Sequence, residues 1–172
     1  MALGCSALAL ALAGCGEHAS EGKDCPLVER QRTSSGFCVP RWVSLKKGEV
    51  NARKGPGKDY PTIWTYHAKG LPVQVVAETE DWRRICDSQG VASWVSRAMV
   101  DGRRTVIVLG NMPLALHKQP LDTAPQAGAL NAQTLASLDR CLGGWCKVKA
   151  AGLSGWTPAL SLWGAASKAQ CH

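Results

Sequence analysis

The stretch WRRICDSQGVASWV at Trp82–Val95 returns, altered, as WCKVKAAGLSGWT at Trp145–Thr157. Each copy opens on a Trp followed by basic residues and a branched aliphatic (Ile85, Val148). Each then has a Gly (Gly90, Gly152) and closes on a second Trp (Trp94, Trp156). The offset is 63 residues at the first Trp and 62 at the second, so one deletion separates the copies. That period is too long for a solenoid unit and fits a small complete domain. Two domains of this size sit near the lower limit for a self-sufficient core and need staples or a large mutual interface. With seven Trp against one Phe and two Tyr, the indoles supply much of the large apolar volume.

Around the repeat the chain reads as short alternating or aliphatic runs between Gly, Pro, Asn and Asp. In the first copy these are Trp42–Leu45, Gly48–Arg53, Thr62–Tyr66, Leu71–Glu78, Trp82–Asp87 and Ala92–Ser96. In the second they are Leu114–His117, Thr134–Asp139, Trp145–Lys149 and Gly155–Thr157. Short runs at this spacing predict an all-β fold. Arg104–Gly110 reads as a strand bridging the repeats, and Ala124–Ala136 as a loop leading into a strand. SRAM and PALS, each just after a closing Trp, fit single turns of 3₁₀ helix. Trp94 and Trp156 are expected in the cores, Trp82 and Trp145 part-exposed beside a turn.

Gly143-Gly144 marks a two-residue primed turn. That turn sets Cys141 opposite Cys146, close enough across the strands for a disulfide. Moving back 63 residues sets Glu78 opposite Arg83, so one cross-strand site holds a cystine in one copy and an ion pair in the other.

The start, MALGCSALALALAGC, is apolar and uncharged, too short to span a bilayer as a helix, and reads as a signal peptide over 1–14. No basic leader precedes it, which predicts a start codon upstream of Met1. Leu12-Ala13-Gly14-Cys15 resembles the bacterial lipoprotein cleavage box; the resemblance implies lipidation at Cys15 and a periplasmic, lipid-anchored protein. Residues 15–40 are expected as a polar tether, with a Cys25–Cys38 loop. Six cysteines remain, and an even set outside the cytoplasm points to disulfides. Cys86 and Cys171 pair with each other or stay free. Zinc on Cys141, Cys146, Cys171 and His172 is the metal alternative; disulfides are the stronger reading, and no metal or other cofactor is expected.

At VNARKGPG (Val50–Gly57) the sequence resembles the bacterial SH3-like family, whose repeats open with Val-Asn-hydrophobic-Arg-x-x-Pro and close with Gly-x-x-Gly-Trp-Val. Asn51, Arg53, Gly55 and Pro56 match the opening; Gly90, Trp94 and Val95 match the close, with Ser93 in place of the usual Gly. The second copy keeps Gly152, Gly155 and Trp156, but MPLALHKQP has neither the Asn nor the Arg. The resemblance implies two tandem small SH3-like β-barrels over 41–104 and 105–172, the second degenerate. It implies binding of cell-wall peptide (peptidoglycan) or an envelope protein. Asn51 and Gly55-Pro56-Gly57 are expected to turn the chain through positive φ.

The charge of +7 is concentrated on the repeats, +5 over 41–104 and +3 over 105–172, which suits an anionic envelope partner. The compartment argues against nucleic acid, and the membrane enters only through the lipid anchor. No Gly-x-Ser-x-Gly, His-Glu-x-x-His or phosphate loop occurs, and His67 and His117 are isolated. The chain is therefore read as non-catalytic. An accessory subunit of a wall enzyme is the first alternative, a small Cys/His wall hydrolase using Cys86 the second. Tyr60, Trp64 and Trp82, rimmed by Arg53 and Lys54, form the candidate ligand groove, since exposed aromatics anchor binding surfaces. The second copy has no counterparts of Tyr60, Trp64 and Tyr66 and reads as a structural buttress.

Overall fold

The computed structural model describes residues 31–166 and 171. Cys15, Cys25 and the signal segment 1–14 lie outside the described residues. Within them, a short hairpin of β1 (Gln31–Arg32) and β2 (Cys38–Val39) precedes two seven-stranded antiparallel sheets. The first sheet contains β3 (Arg41–Leu45), β4 (Val50–Arg53), β5 (Thr62–Tyr66), β6 (Pro72–Glu78), β7 (Trp82–Cys86), β8 (Ala92–Ser96) and β9 (Val100–Asp101). The second contains β10 (Thr105–Val108), β11 (Leu114–His117), β12 (Gln126–Leu130), β13 (Leu135–Leu142), β14 (Trp145–Ala150), β15 (Leu153–Pro158) and β16 (Leu162–Trp163). The strand orders are β5-β4-β8-β7-β6-β3-β9 and β12-β11-β15-β14-β13-β10-β16, the same topology twice. A 3₁₀ turn follows the closing strand in each, at Arg97–Met99 and Ala159–Ser161.

Alternation places one face of each sheet inward. Val43, Leu45, Val50, Ala52, Tyr66, Val73, Val75, Ile85 and Val95 form the first core. Val106, Val108, Leu116, Leu130, Ala136, Cys146, Val148 and Leu162 form the second. The turn at Gly143 (φ 56°) and Gly144 (φ 83°) has positive φ at both residues, as a primed hairpin turn requires. Cys141 and Cys146 face each other across it with Cα atoms 4.0 Å apart and are joined in a disulfide. At the same site of the first copy Arg83 Nε lies 3.0 Å from Glu78 Oε2.

Several expectations need correcting. Thr105–Val108 is not a linking strand: it pairs with β13 and β16 as β3 pairs with β6 and β9, and so is the first strand of its own sheet. Gln126–Leu130 is a strand, paired to β11. The folded part starts before Arg41, for Val39 belongs to the first core and the Thr33 and Ser35 hydroxyls both donate to Glu78. Trp156 is buried as expected, whereas Trp94 is not a core residue. Val95, next to Trp94, fills the inside, and alternation turns the indole outward. Trp94 is half-buried there between Arg53 and Arg84; Trp156 is buried between His117 and Lys147, under the Arg140 guanidinium.

The two sheets pack through the outer face of β3 and β6. Trp42 meets Trp163 edge to face, ring centres 4.8 Å apart. Trp42 Nε1 donates to Ala166 O at 2.7 Å and Trp163 Nε1 to Pro72 O at 3.0 Å. The Thr105 hydroxyl donates to Gly70 O and the Ser44 hydroxyl to Arg103 O. Cys86 is disulfide-bonded to Cys171, 85 residues on, which fixes the C-terminal segment to the first sheet. Cys38 is disulfide-bonded as well.

Candidate ligand-binding site

The β4–β5 hairpin carries most of the expected groove. Arg53 Nη1 donates to Tyr60 O at 2.7 Å and Lys58 O at 3.0 Å, and Lys54 N donates to Pro61 O at 3.0 Å. The guanidinium thus braces the loop it was expected to rim. Gly55 and Gly57 do not have positive φ; their role is close approach. A Cβ on Gly55 would lie 2.4 Å from the Tyr60 ring, and one on Gly57 3.2 Å. The ring therefore lies against bare backbone, which holds it while leaving 47% of the residue exposed. Trp64 lies opposite Ala52 on the edge strand and is 57% exposed; Ile63 beside it is 49% exposed. Asn51 sits in β4 and accepts a hydrogen bond from the Thr65 hydroxyl. Lys54 and Lys58 are exposed around this patch.

Trp82 is not in the hairpin. It starts β7, opposite Ser96, with β8 and β4 between it and β5. It is half-buried on the outer face that also carries Arg84 and Trp94. Below the hairpin the phenol of Tyr66 donates to Asp87 Oδ2 at 2.9 Å. Burial pushes the Tyr66 phenol above its usual range and the Asp87 charge adds to it, so it remains a neutral donor. Asp87 Oδ1 accepts from Gln89 N and Val91 N and so ties this pair to the β7–β8 turn.

The second copy preserves the brace and loses the aromatics. His117 occupies the Arg53 position, and its Nδ1 lies 2.9 Å from Ala124 O. A carbonyl only accepts, so Nδ1 carries the proton. Lys118 N donates to Pro125 O as Lys54 N does to Pro61 O. Register puts Ala124, Gly128 and Leu130 where the first copy has Tyr60, Trp64 and Tyr66. The sequence concealed this because the opening motif is absent, yet a His meets the same geometric need.

Further basic residues gather where the sheets meet. Arg41, Arg104, Arg140 and Trp42 line a cleft of about 420 Å³ with Leu138 and Asp139. Sequence reading missed it; the available signal was an Arg at the head of each copy's first strand, Arg41 and Arg104. Cys86, the thiol a Cys/His hydrolase would use, is tied up with Cys171. Among the described residues no three His, Cys, Asp or Glu side chains gather as a metal site requires. Among them too, no helix is long and apolar enough to cross a membrane.

The model of the bacterial SH3 domain family matches the chain twice, at residues 46–102 and 112–164, more than half of its length. No curated protein matches it. Solved structures that resemble it include NlpC2 and NlpC1 from Trichomonas vaginalis, at 12% and 11% identity and a TM-score of 0.33 each. The alignments cover 72% and 79% of this chain but 48% and 49% of theirs, so this chain spans about half their length.

Proposed function

The chain belongs to the bacterial SH3 domain family, and from that premise we propose that it is a non-catalytic binding protein of the cell envelope whose first domain takes a cell-wall peptide. The observation carrying this reading is the exposed Tyr60–Trp64 patch. It stands on a hairpin fixed by Arg53 and is flanked by Lys54 and Lys58. Two large aromatics in water on a braced loop are costly unless something covers them, and the second copy has Ala124 and Gly128 in their place. That contrast supports recognition by the first domain and a supporting role for the second. Lipidation of Cys15 would hold the protein at a bacterial membrane facing the periplasm, and the disulfides suit that compartment.

Co-sedimentation of the oxidised full chain with purified cell-wall sacculi tests the proposal. Binding should survive about 0.3 M salt, where attraction between exposed charges is heavily screened, and should be lost in Trp64→Ala. Binding that salt abolishes equally in both proteins would reduce the effect to net charge. No sedimentation at any salt would shift the ligand to an envelope protein.

A further inference from the structure

We propose that the cleft between the two domains binds a small oxyanion, a carboxylate or a phosphate group, clamped by Arg41, Arg104 and Arg140 against the Trp42 indole. This site is separate from the Tyr60–Trp64 patch and does not depend on wall binding there.

Three arginines line the cleft, from β3, from the residue before β10 and from β13, so neither domain alone has the site. Their charge is poorly matched by carboxylates. Asp139 is the acidic residue lining the cleft, and it lies 3.7 Å from Arg140 with both side chains more than half exposed, a geometry that contributes little. Glu78 serves Arg41 and Arg83 together. Arg41 Nη2 reaches Glu78, whereas its Nη1 is buried with no hydrogen-bond partner. A buried unmet donor is uncommon and costs free energy. Arg104 donates from Nη2 to Gly164 O, and no ion pair holds it among the described residues. Arg140 lines the cleft, and its guanidinium rests over the Trp156 ring at 5.5 Å, a contact that limits its motion.

The planar guanidinium fork matches the two oxygens of a carboxylate or phosphate. The remaining wall is apolar: Trp42, Leu138, Ala165 and Ala166. A volume of about 420 Å³ lies in the small-molecule range. The ligand is thus a compact anion carrying some apolar surface. The Trp42 indole, bonded to Ala166 O at 2.7 Å, reports on the site from within.

The test follows the indole N–H signals of the oxidised full chain by NMR while inorganic phosphate, citrate or neutral glycerol is added at constant ionic strength. One of the two anions should shift the Trp42 signal saturably while leaving Trp82 unmoved, and glycerol should do nothing. Response to citrate alone assigns a carboxylate; response to phosphate assigns a phosphate. Arg104→Met and Arg140→Gln should each weaken binding about tenfold, the loss of one charge-assisted contact. The Arg140 side chain makes no hydrogen bond to backbone among the described residues, so its variant stays informative if Arg104→Met disturbs the fold. No saturable shift with either anion, equal affinity in the variants, or a uniform drift of all indole signals would each overturn the proposal.

Discussion

Glu78 shows how one buried side chain can organise a domain edge. Its side chain is sealed from solvent and receives the Thr33 and Ser35 hydroxyls, Arg41 Nη2 at 2.5 Å and Arg83 Nε at 3.0 Å. Burial pushes its pKa up, but the Ser35, Thr33 and Arg41 hydrogen bonds and the Arg41 charge outweigh that and hold it at about 2. The folded state therefore favours the ionised form. That stability is fully present above the ordinary value of 4.5 and is lost as pH falls toward about 2. On the order of 3 kcal/mol is at stake. Urea denaturation should show unfolding free energy dropping between those pH values, and Glu78→Gln should be less stable at pH 7 and flatter in acid. An unchanged acid slope in the variant would remove Glu78 from this role. A different constraint governs Gly155, where a Cβ would come within 2.7 Å of Leu116 Cβ and 3.0 Å of His117 O. Backbone cannot yield as a flexible side chain can. Gly155→Ala should cost about 1–3 kcal/mol in the same assay.

The hairpins turn such residue-level constraints into a surface. In the first domain Arg53, Gly55 and Tyr60 act together: the guanidinium holds the loop carbonyls and the missing Cβ admits the ring. Gly55→Ala should expel Tyr60, weaken sacculus binding and cost about 1–3 kcal/mol by overpacking. Gly48→Ala, with nothing within 4 Å of the new Cβ, should stay within about 0.5 kcal/mol of the parent and bind normally. If both variants bind alike, the ring is not held by close approach. Strands built on Val, Ile and Trp were legible from alternation, as was the Gly143-Gly144 hairpin with its facing cysteines. Gln126–Leu130 was not, because QAGAL has no β-branched or aromatic residue; pairing with Leu114–His117 makes it a strand. The hairpin half of the candidate site was legible in Arg53, Lys54, Tyr60 and Trp64. Trp82 was misplaced because sequence proximity to a turn does not reveal which strands lie between. The arginine cleft left only Arg41 and Arg104 at matching positions of the two copies as a signal, since packing of two domains creates it.

At the scale of the whole molecule, two disulfides differ in what they constrain. Cys141–Cys146 spans a separation of 5 residues within one hairpin, whose pairing already holds the cysteines close. Cys86–Cys171 spans 85 residues and ties the first sheet to the segment that follows the last strand of the second. The interface it spans also contains the Trp42–Trp163 contact and the Thr105 bond to Gly70 O. Loop-closure entropy grows with the logarithm of loop length, giving about 4–5 kcal/mol for the long link and about 2 kcal/mol for the short one. Removing Cys86 and Cys171 together, both to Ala, should therefore destabilise the protein about twice as much as removing Cys141 and Cys146. Guanidinium melts of the two double variants measure the difference directly. An equal or larger loss at Cys141–Cys146 would mean that local packing in the second core, where Cys146 is fully buried, outweighs the chain entropy of joining the domains. The expected order would instead make the long link the main covalent reason that two small domains, each near the lower size limit for independent folding, behave as one body.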